Sequence, residues 1–288
     1  MEIGFIGLGN MGRPMAETLA AAGYSVTGFD TAAVSATGVV AAASAAAAAG
    51  GREIVVTMLP DGPILDAVAD AALPAMAPGS VLVDCSTVDV ATARAVGARA
   101  EAAGIGFVDA PVSGGIAGAA AGTLTFMVGG AETSVAMALP LFEVMGARTV
   151  QCGPAGSGQA AKICNNMILG ISMLGVCEAF DLAERLGLDW QALYDVVSTS
   201  SGACWSVTSY CPAPGIGPKS PADNAYTPGF AAELMLKDLK LSQEAAISAG
   251  GQTEMGRRAT ELYEAFVATG GRGKDFSAVL ARLRDQLT

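Results

Sequence analysis

The opening stretch "EIGFIGLGNMGRPMAETLAAAG" places Gly7, Gly9 and Gly12 at G-x-G-x-x-G spacing. It follows an apolar run directly and leads straight into a helical pattern. A strand that turns on glycines into a helix demands backbone conformations and close approaches that side chains forbid. The arrangement suits a pyrophosphate received by backbone amides and a helix N-terminus. In a chain with 37 glycines the spacing alone is a weak signal. Its place between strand and helix makes it specific. Gly7, Gly9, Asn10, Met11 and Gly12 are therefore predicted to contact a dinucleotide.

Asp30 closes the next strand, "SVTGFD", about 20 residues beyond the turn, where a carboxylate accepts ribose hydroxyls. The other reading of Asp30 is a helix cap shared with Thr31. A carboxylate there repels a 2′-phosphate, and no arginine follows in "FDTAAVSATG". The expected cofactor is NAD rather than NADP.

The first half of the chain alternates β-type and helical runs. Strands are predicted in "EIVVTMLP", "SVLVDCST", "IGFVDAPV" and "TLTFMVGG". Helices are predicted in the alanine run "AAASAAAAA", "PILDAVADAALPAM", "DVATARAVGARAEAAG" and "ETSVAMALPLFEVMG". Gly23 is the expected C-terminal cap of the first helix. Such alternation with Val- and Ile-rich runs points to a largely parallel sheet with helices on both faces. After about Val150 the strand signal stops. "GQAAKICNNMILGISMLGVCEAFDLAERLG" predicts one long helix, apolar nearly all round and therefore buried. The remainder is helical except for the Pro-, Gly- and Ser-rich stretch from Ser200 to Phe230, long enough to be either functional or flexible. The expected domains are 1–160 (α/β) and 161–288 (all-helical).

Composition narrows the partners. A formal net charge of −11 with dispersed Lys and Arg argues against nucleic acid. Six cysteines without CxxC spacing, and no histidine, leave no zinc pattern and no expected metal. A reduced, cytoplasmic chain is the plain reading. The N-terminus lacks the basic region of a signal peptide. Gly, Pro and polar interruptions are expected to deny any apolar run the length of a membrane span.

Three further groups of residues carry chemistry. "MLP", with Leu59 and Pro60, and "CST", with Thr87, close successive strands at the edge where doubly wound sheets bind ligands. A strand terminator and a helix cap are the plainer readings of Pro60 and Thr87. "DAPVSGG" ends another strand on Ser113, Gly114 and Gly115, a hydroxyl and backbone amides suited to a carboxylate, or a simple turn. Lys162 is the only lysine before Lys219 and sits among Gly, Ala, Ile, Cys and Asn, with Asn166 four residues on. Residues four apart share one helical face. Lys162 is read either as a lysine whose stem covers apolar surface or as a general acid/base whose pKa burial lowers toward the working pH.

In order, "GFIGLGNMGRPMAETL", "DAPVSGG", "GxGQxxKxxNN" and "KDL" at 237–239 resemble the β-hydroxyacid dehydrogenase family across essentially the whole chain. "SSGACWSVTSY" followed by "ADNAYTPGFAAELMLKDLKLSQ" is similar to the branch acting on 3-hydroxyisobutyrate. The resemblance implies a Rossmann-type domain, an all-α domain built on a long interdomain helix, and hydride exchange with NAD. It makes Lys162 the catalytic lysine and Asn166 its supporting amide. Ser113, Gly114 and Gly115 become the substrate-carboxylate loop, and Lys237 a second lysine near cofactor and substrate. Ile64 departs from the family, whose members often carry a polar residue there. Lys237 with Asp238 also reads as an ordinary surface pair. Trp205 and Phe230 are packing anchors or walls of the substrate pocket.

The expected reaction is oxidation of 3-hydroxyisobutyrate to methylmalonate semialdehyde, as in valine catabolism. The alternatives are reduction of tartronate semialdehyde or a similar short semialdehyde, and a nucleotide-binding interaction protein without catalysis. The long apolar helix also predicts a homodimer or homotetramer packed through the helical part.

Overall fold

The computed structural model describes residues 1–285. The chain divides into two compact units, Met1–Lys162 and the residues from Ile163 onward.

The first unit is a nine-stranded sheet. Its strands are β1 (Glu2–Ile6), β2 (Ser25–Phe29), β3 (Val39–Ala41), β4 (Ile54–Thr57), β5 (Val81–Asp84), β6 (Gly106–Asp109), β7 (Val112–Ser113), β8 (Leu124–Gly130) and β9 (Gly146–Gly153). Between them lie α1 (Gly12–Ala21), α2 (Ala45–Ala49), α3 (Gly62–Ala72), α4 (Val90–Ala102), α5 (Gly115–Ala121) and α6 (Glu132–Met145). The order β3-β2-β1-β4-β5-β6 is parallel throughout, the doubly wound arrangement, with its reversal between β1 and β4. β8 joins antiparallel to β6, and β9 runs parallel to β8. Every residue of β4 and β5 is buried, so these strands read as continuous apolar runs rather than alternating ones. α1 presses Met15, Ala16 and Leu19 onto the sheet. It ends at Gly23, whose φ of +92° only glycine adopts easily.

Three expectations change here. The alanine run is not one helix. Val39–Ala41 pairs with β2, and the helix begins only at Ala45, capped by the Ser44 hydroxyl on the Ala47 amide. Strand pairing overrides alanine's helix propensity. The residues around Val150, to which the sequence assigns no strand, form β9 (Gly146–Gly153), paired with β8. The segment 116–123, to which the sequence assigns no element, is mostly α5.

The second unit is helical. α7 (Ser157–Arg185) supplies most of its residues to this unit. α8 (Trp190–Val197), α9 (Trp205–Thr208), α10 (Ala232–Ser248), α11 (Glu254–Phe266) and α12 (Val279–Asp285) follow. Met173, Cys177 and Phe180 of α7 meet Met235 and Leu239 of α10, Tyr263 of α11 and Leu280 of α12 in one core. Gly170 lets α7 and α10 approach: a Cβ there would lie 3.0 Å from Leu239 Cδ2 and 3.1 Å from Met235 Sδ.

α7 is not buried all round. Ile168 and Leu182 are 65% and 55% exposed, because the neighbouring helices cover only one side. The helix is also, by length and composition alone, apolar enough to cross a bilayer, so the polar interruptions do not shorten the run as expected. Met173, Cys177 and Phe180 place part of that apolar surface in the packed core, and Ile168 and Leu182 lie outside it.

The stretch 200–230 is ordered by specific bonds. Fully buried Asp275 accepts from Tyr210 Oη at 2.9 Å and from the Gly229 and Phe230 amides at 3.0 Å. A Ser220–Asp223 capping box and a Tyr226 Oη bond to the Pro212 carbonyl at 2.9 Å fix the rest.

Candidate active site

The glycine turn shows why each glycine is present. Gly7 has φ +96°, and a Cβ on it would lie 2.2 Å from the Met58 carbonyl oxygen. A Cβ on Gly12 would lie 1.9 Å from the Gly7 carbonyl oxygen. Both are therefore demanded by the protein's own packing. Gly9 differs: a Cβ there would meet nothing within 4 Å. The open space above Gly9 is where a ligand can lie against bare backbone. Met11 supplies no side-chain cap to α1; the Arg13 amide donates to the Gly9 carbonyl at 3.0 Å, and Pro14 has no N–H to satisfy. Asn10 is exposed beside it.

Asp30 stands at the end of β2. Its Oδ2 accepts from the Leu8 amide and its Oδ1 from the Ala32 amide, both at 2.7 Å. No helix follows, so the helix-cap reading gives way to a turn that ties the carboxylate to the glycine loop. Beside it opens a cavity of about 360 Å³ whose lining includes Leu8, Asp30, Val34, Val39 and Ala42. Apolar walls with one carboxylate at the rim fit a nucleoside: the base takes the walls and the ribose the acid. The bare Gly9 backbone and this cavity together fit a dinucleotide.

The loops after β4 and β5 are tied together from below. Asp84 ends β5, fully buried, and its Oδ1 accepts from Thr57 Oγ1 at 2.8 Å, Ser86 Oγ at 2.5 Å and the Ser86 amide at 3.2 Å. Ser86 Oγ accepts in turn from the Leu59 amide at 2.8 Å. The "MLP" and "CST" turns are thus one hydrogen-bonded assembly, with Pro60 exposed and Thr87 half-buried at its surface. Burial pushes the Asp84 carboxyl up to about 6, against the lowering effect of the Ser86 and Thr57 bonds. Burial likewise raises the neighbouring Cys85 thiol, which makes it a poor nucleophile. Ile64 is partly exposed, and its amide donates to Asp61 Oδ1 at the start of α3.

Lys162 lies on α7 and is buried. Its Nζ donates to the Val112 carbonyl at 2.8 Å. Val112 immediately precedes Ser113, Gly114 and Gly115, so the ammonium stands at the foot of that turn, 50 residues away in sequence. Gly114 and Gly115 have φ of +134° and +63°, which the turn needs and other residues resist. Asn166 is one helical turn further along α7. Its Nδ2 donates to Asp238 Oδ2, and its Oδ1 accepts from Asn165 Nδ2 at 2.9 Å. Buried Asp238, in α10, therefore fixes which way the Asn166 amide points. Lys237 precedes it on the same helix.

Trp205 and Phe230 belong to one aromatic cluster in the helical unit. Trp205 stacks on Tyr210 at 4.8 Å, Tyr210 on Phe276 at 5.5 Å, and Phe230 meets Phe276 edge-on at 5.7 Å. Burial raises the Tyr210 hydroxyl well above its usual range, with Asp275 adding to the effect, so it stays a donor.

Sequence reasoning missed Asp84, Ser86, Asp109 and Gln159. The available signal was an aspartate at the end of two apolar strand runs, "VLVD" and "GFVD", where an unpaired charge is expensive.

The family described as the NAD binding domain of 6-phosphogluconate dehydrogenase matches residues 2–153. The family described as NAD-binding of NADP-dependent 3-hydroxyisobutyrate dehydrogenase matches residues 156–283. A probable 3-hydroxyisobutyrate dehydrogenase of Mycobacterium tuberculosis is 45% identical over 98% of this chain and 97% of its own. An NAD-dependent L-serine dehydrogenase of Pseudomonas aeruginosa is 44% identical over 96% of each. Among solved structures, the Mycobacterium tuberculosis 3-hydroxyisobutyrate dehydrogenase with L-serine superposes with a TM-score of 0.95 at 45% identity, over 98% of this chain and 99% of that one.

Proposed function

The chain belongs to the 3-hydroxyisobutyrate dehydrogenase family of NAD-binding oxidoreductases, and we propose that it oxidises 3-hydroxyisobutyrate to methylmalonate semialdehyde in valine catabolism, with Lys162 as general acid/base. The observation that carries this reading is the buried Lys162 ammonium held at the foot of the Ser113–Gly115 turn. NAD, when bound, accepts the hydride. Gly7, Gly9, Asn10, Met11 and Gly12 would hold its pyrophosphate, Asp30 its ribose, and Leu59, Pro60 and Thr87 would supply its remaining contacts.

Ser113 offers a hydroxyl and Gly114 and Gly115 their amides to the substrate carboxylate. Lys162 takes the hydroxyl proton as the carbon–hydrogen bond breaks, and returns it to the carbonyl in the reverse direction. A β-hydroxy acid has its carboxylate and hydroxyl far enough apart for this division of labour. Asn166 is assigned to orienting Lys162 or the substrate oxygen, Lys237 to cofactor and substrate, and Trp205 and Phe230 to the methyl branch. The exposed Ile168 and Leu182 of α7 support self-association into a homodimer or homotetramer.

L-serine is a second candidate substrate, since it is also a β-hydroxy acid and is named with two of the relatives. Initial rates on 3-hydroxyisobutyrate, L-serine, 3-hydroxypropionate and lactate, with NAD and NADP in parallel, decide between the readings. Faster turnover of lactate overturns the role of the Ser113–Gly115 turn. Lys162→Ala is expected to lower kcat by about 10²–10⁴ with NAD binding retained, and normal turnover refutes the mechanism. NAD is expected to exceed NADP by at least ~10-fold in kcat/KM, about 1.4 kcal/mol, and Asp30→Ala to narrow that gap. Equal use of NADP by the unmodified protein refutes the role of Asp30.

A further inference from the structure

The Lys162 side chain is placed before it makes any contact of its own. α7 starts at Ser157, and its first turn is bound to the end of β6 and to the loop after β5. At the end of β6, Asp109 is fully buried. Its Oδ1 accepts from the Gly156 amide at 2.7 Å and its Oδ2 from the Gln159 amide at 2.8 Å. Gln159 is buried as completely. Its Nε2 donates to the Ser86 carbonyl at 2.8 Å, and its Oε1 accepts from the Val88 amide at 3.1 Å.

Two glycines make room for this clamp. A Cβ on Gly158 would lie 2.3 Å from the Met127 carbonyl oxygen and 2.7 Å from that of Asp109. A Cβ on Gly129 would lie 2.5 Å from Asp109 Oδ1 and 2.8 Å from the Gly158 nitrogen. Most of these are backbone contacts, which no change of rotamer relieves.

Lys162 lies three residues beyond Gln159, less than one turn of helix. Its ammonium reaches the Val112 carbonyl, three residues beyond Asp109. Asp109 therefore acts at both ends of that contact. Its main chain leads into Val112 and the Ser113 turn, and its side chain holds the start of the helix carrying the lysine. A serine cap would satisfy one amide. A carboxylate satisfies two amides three residues apart, which fixes the helix in rotation as well as in position. The helix N-terminus in turn offsets part of the cost of burying that charge.

We propose that Asp109 and Gln159 are positioning residues for the dehydrogenase reaction, setting the reach of Lys162 to the carboxylate turn. The inference rests on the general acid/base reading of Lys162, and a double-mutant cycle separates the two. The proteins are the unmodified chain, Asp109→Asn, Lys162→Ala and the double variant, each assayed for kcat with 3-hydroxyisobutyrate and for NAD binding by calorimetry. Asparagine has one acceptor where aspartate has two, so one amide loses its partner.

Asp109→Asn is expected to lower kcat by roughly 10- to 100-fold, the usual effect of a displaced catalytic group, with the Kd for NAD changed less than ~2-fold. In the Lys162→Ala background the same change is expected to alter kcat less than ~2-fold, because the group it positions is gone. An equal loss in both backgrounds shows that Asp109 does not act through the lysine and overturns the inference. Normal turnover by Lys162→Ala alone overturns the reading of the lysine and the inference with it. If Asp109→Asn does not fold, Gln159→Ala runs through the same cycle, and equal losses in both backgrounds again refute the proposal.

Discussion

Asp84 offers a test of the site's electrostatics that needs no substrate. Its carboxyl is fully buried, three donors converge on Oδ1, and among the described residues Oδ2 has no partner. Burial raises it from the usual 3.8 to about 6. The native state therefore holds this proton more tightly than the unfolded chain. Stability is greatest below the unfolded value, falls as pH rises toward the folded value, and is level above it. At about 1.4 kcal/mol per tenfold, the full penalty of ionisation is about 3 kcal/mol.

Asp84→Asn cannot titrate. It keeps an acceptor for Thr57 and Ser86, and places a buried N–H₂ where Oδ2 was, a cost of about 1–3 kcal/mol that does not vary with pH. The stability of the variant relative to the parent is therefore expected to rise by about 2 kcal/mol between about pH 4 and about pH 7.5. Equilibrium urea unfolding of both proteins at both pH values measures it. Because the comparison is a difference of differences, titrations common to the two chains cancel. A gap constant within ~0.5 kcal/mol, or one that shrinks as pH rises, refutes the buried-charge argument.

Gly12→Ala places a Cβ 1.9 Å from the Gly7 carbonyl. It is expected to weaken NAD binding at least ~10-fold and to cost about 1–3 kcal/mol of stability, measured by calorimetry and urea unfolding; unchanged NAD affinity refutes the tight turn. Asp275→Ala strips the acceptor from Tyr210 Oη and from the Gly229 and Phe230 amides. It is expected to cost about 3–5 kcal/mol and to raise amide exchange and proteolysis within 200–230. A protease-resistant segment refutes the anchoring role.

The features readable in the chain before folding are short-range. The glycine turn was legible because the φ of +96° at Gly7 and the contact of Gly12 with the Gly7 carbonyl lie within one strand–turn–helix unit, and Gly9 answers to open space; only the Met58 carbonyl against Gly7 comes from elsewhere in the chain. Alternating runs announced the largely parallel sheet, since each buried strand needs its own apolar residues. The spacing of Lys162 and Asn166 follows from helical geometry alone.

Other features depend on partners far away in the chain. Ala41 is a strand residue because β2 lies beside it, and β9 forms because β8 offers an edge. Local propensity carries neither fact. Asp84 and Asp109 look like breaks in apolar runs until Thr57, Ser86 and the amides of Gly156 and Gln159 are brought to them. A lone lysine among apolar residues is ambiguous in sequence, because a stem that merely covers apolar surface reads the same way. The Val112 carbonyl, 50 residues distant in the chain, removes that ambiguity of place by holding the ammonium beside Ser113. The physical reason is common to all of these residues. A buried polar group or an unpaired strand edge acquires its meaning from what satisfies it, and folding chooses that partner without regard to distance along the sequence.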